Sequence, residues 1–304
     1  MRLSGIVVAT ITPMTEDGAS LAGEQVFTTY YDFLIGAGVH GVFICGTTGE
    51  GALLSMDERM RVTEWTVRQV AGRVPVIVQA GAMPTAHAVE LAKHAASAGA
   101  NAIAVLTPYF YPMDHAAMFQ HFQAVAAAAP ALPVYLYNIP SFARNEISPE
   151  LVVRLRTACP NIAGMKHSDA NLVRLQEYLA AGGEGFDVLA GADAVAVGAL
   201  AAGASGCVSG NASAIPEVSL ALYDAVRRGD LAAARRQQQV LHEVRALLGD
   251  GHSLASFKAA LRHRGIPVGG VRAPHRALTP DEERRIEHGL ADLRRRGYLR
   301  TPVA

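Results

Sequence analysis

Ile162-Ala163-Gly164-Met165-Lys166 is a short apolar run that ends in a single amine, and turn-like His167-Ser168-Asp169 follows it. A strand pointing into a barrel would end here with a lone amine at its mouth, which is where an imine-forming lysine would be placed. An exposed lysine has a pKa of about 10.4, so roughly a few in ten thousand are unprotonated and nucleophilic at pH 7. Burial among apolar neighbours lowers that value by up to about 3–5 units and frees the lone pair. The same residue also reads as a lysine that snorkels from a strand end to water, so its neighbours must decide.

Outward from this run the pattern repeats. Short β-branched runs fall near 6–12, 39–45, 74–80, 101–107, 132–138, 162–167, 186–190 and 205–209. Helical patterns alternate with them near 23–37, 55–72, 84–98, 114–129, 148–158, 169–181, 192–202 and 215–228. Eight βα units predict an α/β fold, a (β/α)8 TIM barrel. Ala37-Gly38, Ala98-Gly99 and Ala202-Gly203 each close a helix with the left-handed residue that stops it. Ser55 before Asp57-Glu58, and Ser148-Pro149-Glu150, mark helix starts. After residue 229 the strands stop, and helices are expected near 230–248, 252–264 and 280–296. One structural domain is expected, with a barrel over 1–229 and a C-terminal helical extension over 230–304. An open doubly wound sheet is the rival, but no G-x-G-x-x-G follows the first strand and no P-loop occurs.

Composition narrows the partners. Half of the 304 residues are apolar and 18% are charged, with Lys plus Arg and Asp plus Glu each 27, so no net field favours nucleic acid or anionic lipid. The pairs Arg227-Arg228 and Arg235-Arg236 and the triplet Arg294-Arg295-Arg296 read as solvated helix faces. Three distant cysteines without a C-x-x-C pair fit a reducing cytoplasm. The first residues pass at once into Ile6-Val7-Val8-Ala9-Thr10, as expected of a mature chain. Interrupted Ala-rich stretches argue against a membrane span. No H-E-x-x-H or H-x-H pattern occurs, so no metal is expected, and His87, His94, His115 and His121 are expected on helix surfaces.

In such a barrel, catalytic residues come from the carboxyl ends of the strands. Those ends deliver Gly46-Thr47-Thr48-Gly49-Glu50, Pro108-Tyr109-Phe110-Tyr111, Tyr137-Asn138-Ile139-Pro140, Lys166, Gly191-Ala192-Asp193 and Ser209-Gly210-Asn211. The set fits one chemistry. An amine condenses with a ketone, the protonated imine withdraws electrons from the neighbouring C–C bond, and a phenol such as Tyr137 moves protons. Thr47, Thr48 and the N–H groups of the glycine turn offer neutral donors for a carboxylate beside the ketone, as in pyruvate. Each part has a plainer reading too: Gly46–Gly49 as a βα turn, Tyr137 as an amphipathic core residue, Asp193 as a helix N-cap. Alternation along the strand points His167 away from the barrel interior.

The motifs Gly46-Thr47-Thr48-Gly49-Glu50, Tyr137-Asn138-x-Pro140 and Gly164-x-Lys166, in that order and spacing, resemble the dihydrodipicolinate synthase/N-acetylneuraminate lyase family of class I aldolases. The resemblance implies a pyruvate-type Schiff base on Lys166, no metal or organic cofactor, Tyr137 as acid/base, and Thr47 and Thr48 as carboxylate binders and proton relay. It adds Tyr109 to the catalytic group and implies a homotetramer, a dimer of dimers.

Departures set the branch. The synthase pattern has two adjacent tyrosines where this chain has Tyr109-Phe110, and an arginine where it has Phe142; Arg144 is out of register. Phenylalanine cannot relay a proton or grip a carboxylate, so Phe142 favours an uncharged substrate group. The sialic acid lyase pattern has Asp-Glu at Asp193-Ala194. The stretch Gly203–Gly210 is more similar to aldolases of 2-keto-3-deoxy sugar acids and hydroxy-oxo acids, in which Gly191, Asp193 and Ser209 would hydrogen-bond substrate hydroxyls, while Gly49 belongs to the carboxylate-binding turn. The leading expectation is a lyase releasing pyruvate and an aldehyde. Alternatives are the synthase itself, a Schiff-base dehydratase of a deoxy sugar acid, and a non-catalytic 2-oxo acid sensor.

Overall fold

The computed structural model describes residues 2–249 and 253–300. Eight parallel strands close in sequence order: β1 (Gly5–Ala9), β2 (Gly41–Ile44), β3 (Val76–Gln79), β4 (Ala102–Leu106), β5 (Val134–Asn138), β6 (Ile162–His167), β7 (Asp187–Ala190) and β8 (Gly206–Ser209). β8 pairs back onto β1, so no sheet edge is left open. The chain is a (β/α)8 TIM barrel.

Helices α1 (Glu24–Ala37), α2 (Met56–Val70), α3 (Thr85–Ser97) and α4 (His115–Ala128) follow the first four strands. α5 (Pro140–Ala143), α6 (Pro149–Ala158), α7 (Leu172–Gly182), α8 (Ala196–Ala201) and α9 (Pro216–Arg227) follow the others. Then come α10 (Leu231–Leu247), α11 (Leu254–Arg262) and α12 (Pro280–Arg295). Position 252, expected to open the second of these last helices, lies outside the described residues.

Alternation along each strand builds two cores. On β5, Val134 and Leu136 face the helices, while Tyr135 and Tyr137 fill the barrel with Val7, Phe43, Ile77, Ala104, Leu189 and Val208. Gly164 makes room for Tyr135, because a Cβ there would lie 2.6 Å from the ring. Asp187 closes the bottom, accepting from the Tyr135 hydroxyl at 2.9 Å, the Leu3 N–H at 2.8 Å and the Arg2 guanidinium at 2.9 Å.

The helix signals act as expected. Ser55 and Glu58 form a reciprocal capping box, Ser148 accepts from the Leu151 N–H, and Gly38, Gly99 and Gly203 take left-handed backbone. The arginine pairs at 227–228 and 235–236 are exposed, and Arg296 pairs with Glu243 and Asp292. All three cysteines are buried free thiols. No helix among the described residues is long and apolar enough to cross a membrane.

Three local expectations need correction. The helix expected over 192–202 begins as a 3-10 turn at Asp193–Val195 and becomes α8 only at Ala196, so Asp193 is not an N-cap. The short α5 was not foreseen and starts on Pro140 at N1. His121 is buried at 3% exposure rather than on the surface, because it lies on the inner face of α4 and shares a hydrogen bond of 2.9 Å with Thr85. Burial pushes its pKa down to about 4.

Candidate active site

A cleft of about 400 Å³ opens at the carboxyl ends of the strands and is lined by Thr47, Thr48, Tyr137, Lys166, Gly191 and Asp193 among others. Register brings the central pair together: Tyr137 on β5 is the direct partner of Lys166 on β6, and both line the cleft. Lys166 is 4% exposed. Its Nζ lies 4.1 Å from the Tyr137 ring centroid and 4.3 Å from that of Phe43, and no carboxylate among the described residues pairs with it. The Tyr137 hydroxyl meets Thr47 Oγ1 at 3.2 Å. Amine, phenol and hydroxyl therefore form a continuous set along one wall, suited to imine formation followed by proton transfer.

The turn carrying Thr47 is tightly built. Gly51 N–H donates to the Gly46 carbonyl at 3.0 Å, and Glu50 N–H to the Thr47 carbonyl at 3.1 Å. Only glycine fits at 51, since a Cβ would lie 1.9 Å from the Cys45 carbonyl oxygen. Thr47 is exposed and Thr48 half-buried, so both are open to a ligand.

Asp193 is 8% exposed and accepts from Asn211 Nδ2 at 2.6 Å and Ser209 Oγ at 2.9 Å. Burial pushes its carboxyl above the usual range, against the pull of those hydrogen bonds and of Arg245. Gly191 leaves space for Ser168, whose Oγ lies 2.0 Å from where a Cβ would stand, and both line the cleft.

Other expected residues sit elsewhere. Ser209 is fully buried behind Asp193, outside the cleft, and holds that carboxylate rather than facing a ligand. Gly49 is buried too, its carbonyl accepting from Thr12 Oγ1 at 2.7 Å. Tyr109 lines an adjoining cavity of about 310 Å³ together with Arg59, and Thr47, Tyr137 and Ile139 line both that cavity and the Lys166 cleft. Phe142 lines both cavities and is 54% exposed. Phe110 is 73% exposed, with its ring edge-on to Tyr111 at 5.0 Å. His167 faces outward between Asn138 and Tyr178, where burial pushes its pKa down.

Sequence reasoning missed Ser168 and Arg245 as cleft residues, the latter reaching in from α10. It also missed Asn145, whose Nδ2 donates to the carbonyls of Pro108 at 2.7 Å and Tyr111 at 2.8 Å and so shapes the loop after β4. Only Ser168, beside the lysine motif, carried a local signal. No group of three or more His, Cys, Asp or Glu among the described residues is placed to hold a metal ion.

The sequence pattern of the dihydrodipicolinate synthetase family matches residues 2–292. The chain belongs to that family. An uncharacterized DapA-like lyase of Halobacterium salinarum is 40% identical over 293 residues, covering 96% of this chain and 95% of its own. YagE, a prophage protein of E. coli K12 assigned to the dihydrodipicolinic acid synthase family and solved with pyruvate, is 30% identical. It superposes with a TM-score of 0.90 over 97% of this chain and 99% of its own. A catalytic lysine mutant of the Ruminococcus gnavus sialic acid aldolase is 26% identical, with a TM-score of 0.92 over 98% and 100%. That aldolase thus shares this barrel from end to end.

Proposed function

We propose that this family member is a class I aldolase that cleaves or forms a 2-keto-3-deoxy sugar acid, or a related 4-hydroxy-2-oxo acid, through a Schiff base on Lys166. The observation that carries the reading is the buried Lys166 amine facing the cleft beside Tyr137, whose hydroxyl meets Thr47 at 3.2 Å.

Lys166 Nζ adds to the C2 carbonyl, and the carbinolamine loses water to give a protonated imine. Tyr137, relayed through Thr47, takes the C4 hydroxyl proton. The C3–C4 bond breaks, its electron pair moves into the imine as an enamine, and an aldehyde leaves. Protonation of C3 and addition of water release pyruvate and restore the amine. Thr47, Thr48 and the turn amides receive the C1 carboxylate. Asp193, Asn211 and Arg245 in the same cleft suit the hydroxyls of a sugar acid tail. The Phe142 ring offers no charge to a second carboxylate, which weighs against the synthase reaction. No cofactor takes part in this scheme.

A cytoplasmic homotetramer is the assembly we propose, with the barrel and residues 230–304 folding as one unit; a native mass of four chains checks it. The chemistry is tested by borohydride reduction with pyruvate followed by peptide mass analysis. Label on Lys166, and pyruvate plus an aldehyde from a panel of 2-keto-3-deoxy acids, are the expected results. An unlabelled protein under saturating pyruvate sinks the reading, and a dehydrated oxo acid as product would assign the dehydratase instead.

A further inference from the structure

Two residues of the turn beside Lys166 adopt left-handed backbone without being glycine: Cys45 at φ 56° and Glu50 at φ 57°. Such strain persists only where the surroundings fix it. For Glu50 those surroundings come from the C-terminal extension. Its side chain is fully buried, and Oε1 lies 2.6 Å from Nζ of Lys258 on α11, which is fully buried as well. Glu50 Oε2 accepts the N–H of Arg272 at 2.8 Å, across 222 positions of sequence. Lys258 also donates to the Gly270 carbonyl at 2.6 Å. Arg272 is itself held by Glu58 at 2.6 and 2.8 Å and by the Ala19 carbonyl at 2.8 Å.

A buried ion pair is a poor source of stability, because stripping water from both charges offsets their attraction, and apolar replacements often fold as well. Geometry is what this one supplies. The turn it grips presents Thr47 and Thr48 to the cleft, and Gly49 is fixed from the other side by Thr12.

We propose that Lys258 is a positioning residue for the active site: paired with Glu50, it holds that residue in its left-handed conformation and thereby fixes the Gly46–Gly51 turn so that Thr47 and Thr48 meet the substrate carboxylate. What the turn binds rests on the function proposed above; that the turn is clamped does not. The helical extension is thereby part of the active site, although Lys258 touches no substrate.

The test uses the full chain as wild type, Lys258→Met, Lys258→Arg and the double variant Lys258→Met/Glu50→Gln, which leaves no lone buried charge. Amide exchange at Gly46–Gly51 is read by mass spectrometry, alongside the pyruvate concentration that half-saturates borohydride labelling and the kcat and KM for the cleaved acid. Removing the clamp should speed exchange in the turn by about tenfold or more. Half-saturation and KM should rise about tenfold, with kcat changing less, and Lys258→Arg should recover part of both. A folded double variant that exchanges at the wild-type rate and binds pyruvate as tightly overturns the proposal, even if it melts at a lower temperature. Should Lys258→Met fail to fold, the double variant decides. If wild type takes no label from pyruvate, the functional reading fails and turn exchange alone decides the clamp.

Discussion

Lys166 and Tyr137 are register partners on adjacent strands, with the amine 4.1 Å from the phenol ring centroid and both side chains turned into the barrel. Neither can move far from the other without breaking the β5–β6 ladder. Removing the amine should therefore end the chemistry and spare the fold. Lys166→Ala is expected to lose borohydride-trapped pyruvate entirely and at least about 10³-fold in kcat/KM, with an unchanged circular dichroism spectrum.

Tyr137 tests the division of labour. Tyr137→Phe keeps the ring packed against Phe43 but removes the hydroxyl that meets Thr47. The imine should still form, measured as slow labelling by pyruvate, while turnover falls by about 10²–10⁴-fold. Equal loss from both steps would show that the phenol is needed for imine formation as well.

Phe142 lines the cleft, and the proposed function has it favour substrates without a second carboxylate there. Phe142→Arg introduces a cation where a ring now stands, and at 54% exposure solvent weakens any pair it makes. Selectivity, read as the ratio of kcat/KM for substrates with and without a second carboxylate, should shift by about tenfold toward the diacid.

His121 predicts acid sensitivity away from the site. Its pKa is near 4 in the folded state against an ordinary 6.5, so the unfolded chain binds the proton first as pH falls. The stabilising contribution is whole above pH 6.5 and is lost as pH drops toward 4, by about 3 kcal/mol in all. Urea midpoints at pH 7 and pH 5 should differ for wild type, and the difference should shrink in His121→Leu.

Much of the site was legible because its parts lie at strand ends, where a local pattern gives both the element and the direction of the side chain. Lys166, Tyr137 and Thr47 are such cases. Ser209 is expected from its loop to contact substrate, but only packing shows that its hydroxyl donates to Asp193, which lines the cleft while Ser209 does not. Motif alone places Tyr109 with the catalytic residues; the loop that Asn145 shapes sets it beside Arg59 in a cavity that shares Thr47 and Tyr137 with the Lys166 cleft.

The sequence by itself determined the eight βα units, the helix stops and the inward-facing lysine, because periodicity, capping and strand alternation are short-range effects. It also placed the motifs that mark the family. Tertiary structure alone decided that Glu50 meets Lys258, that Arg245 reaches the cleft from α10, and that Ser209 holds Asp193. Buried charges and hydroxyls take whichever partner the closed barrel brings within about 3 Å, and no local pattern records that distance.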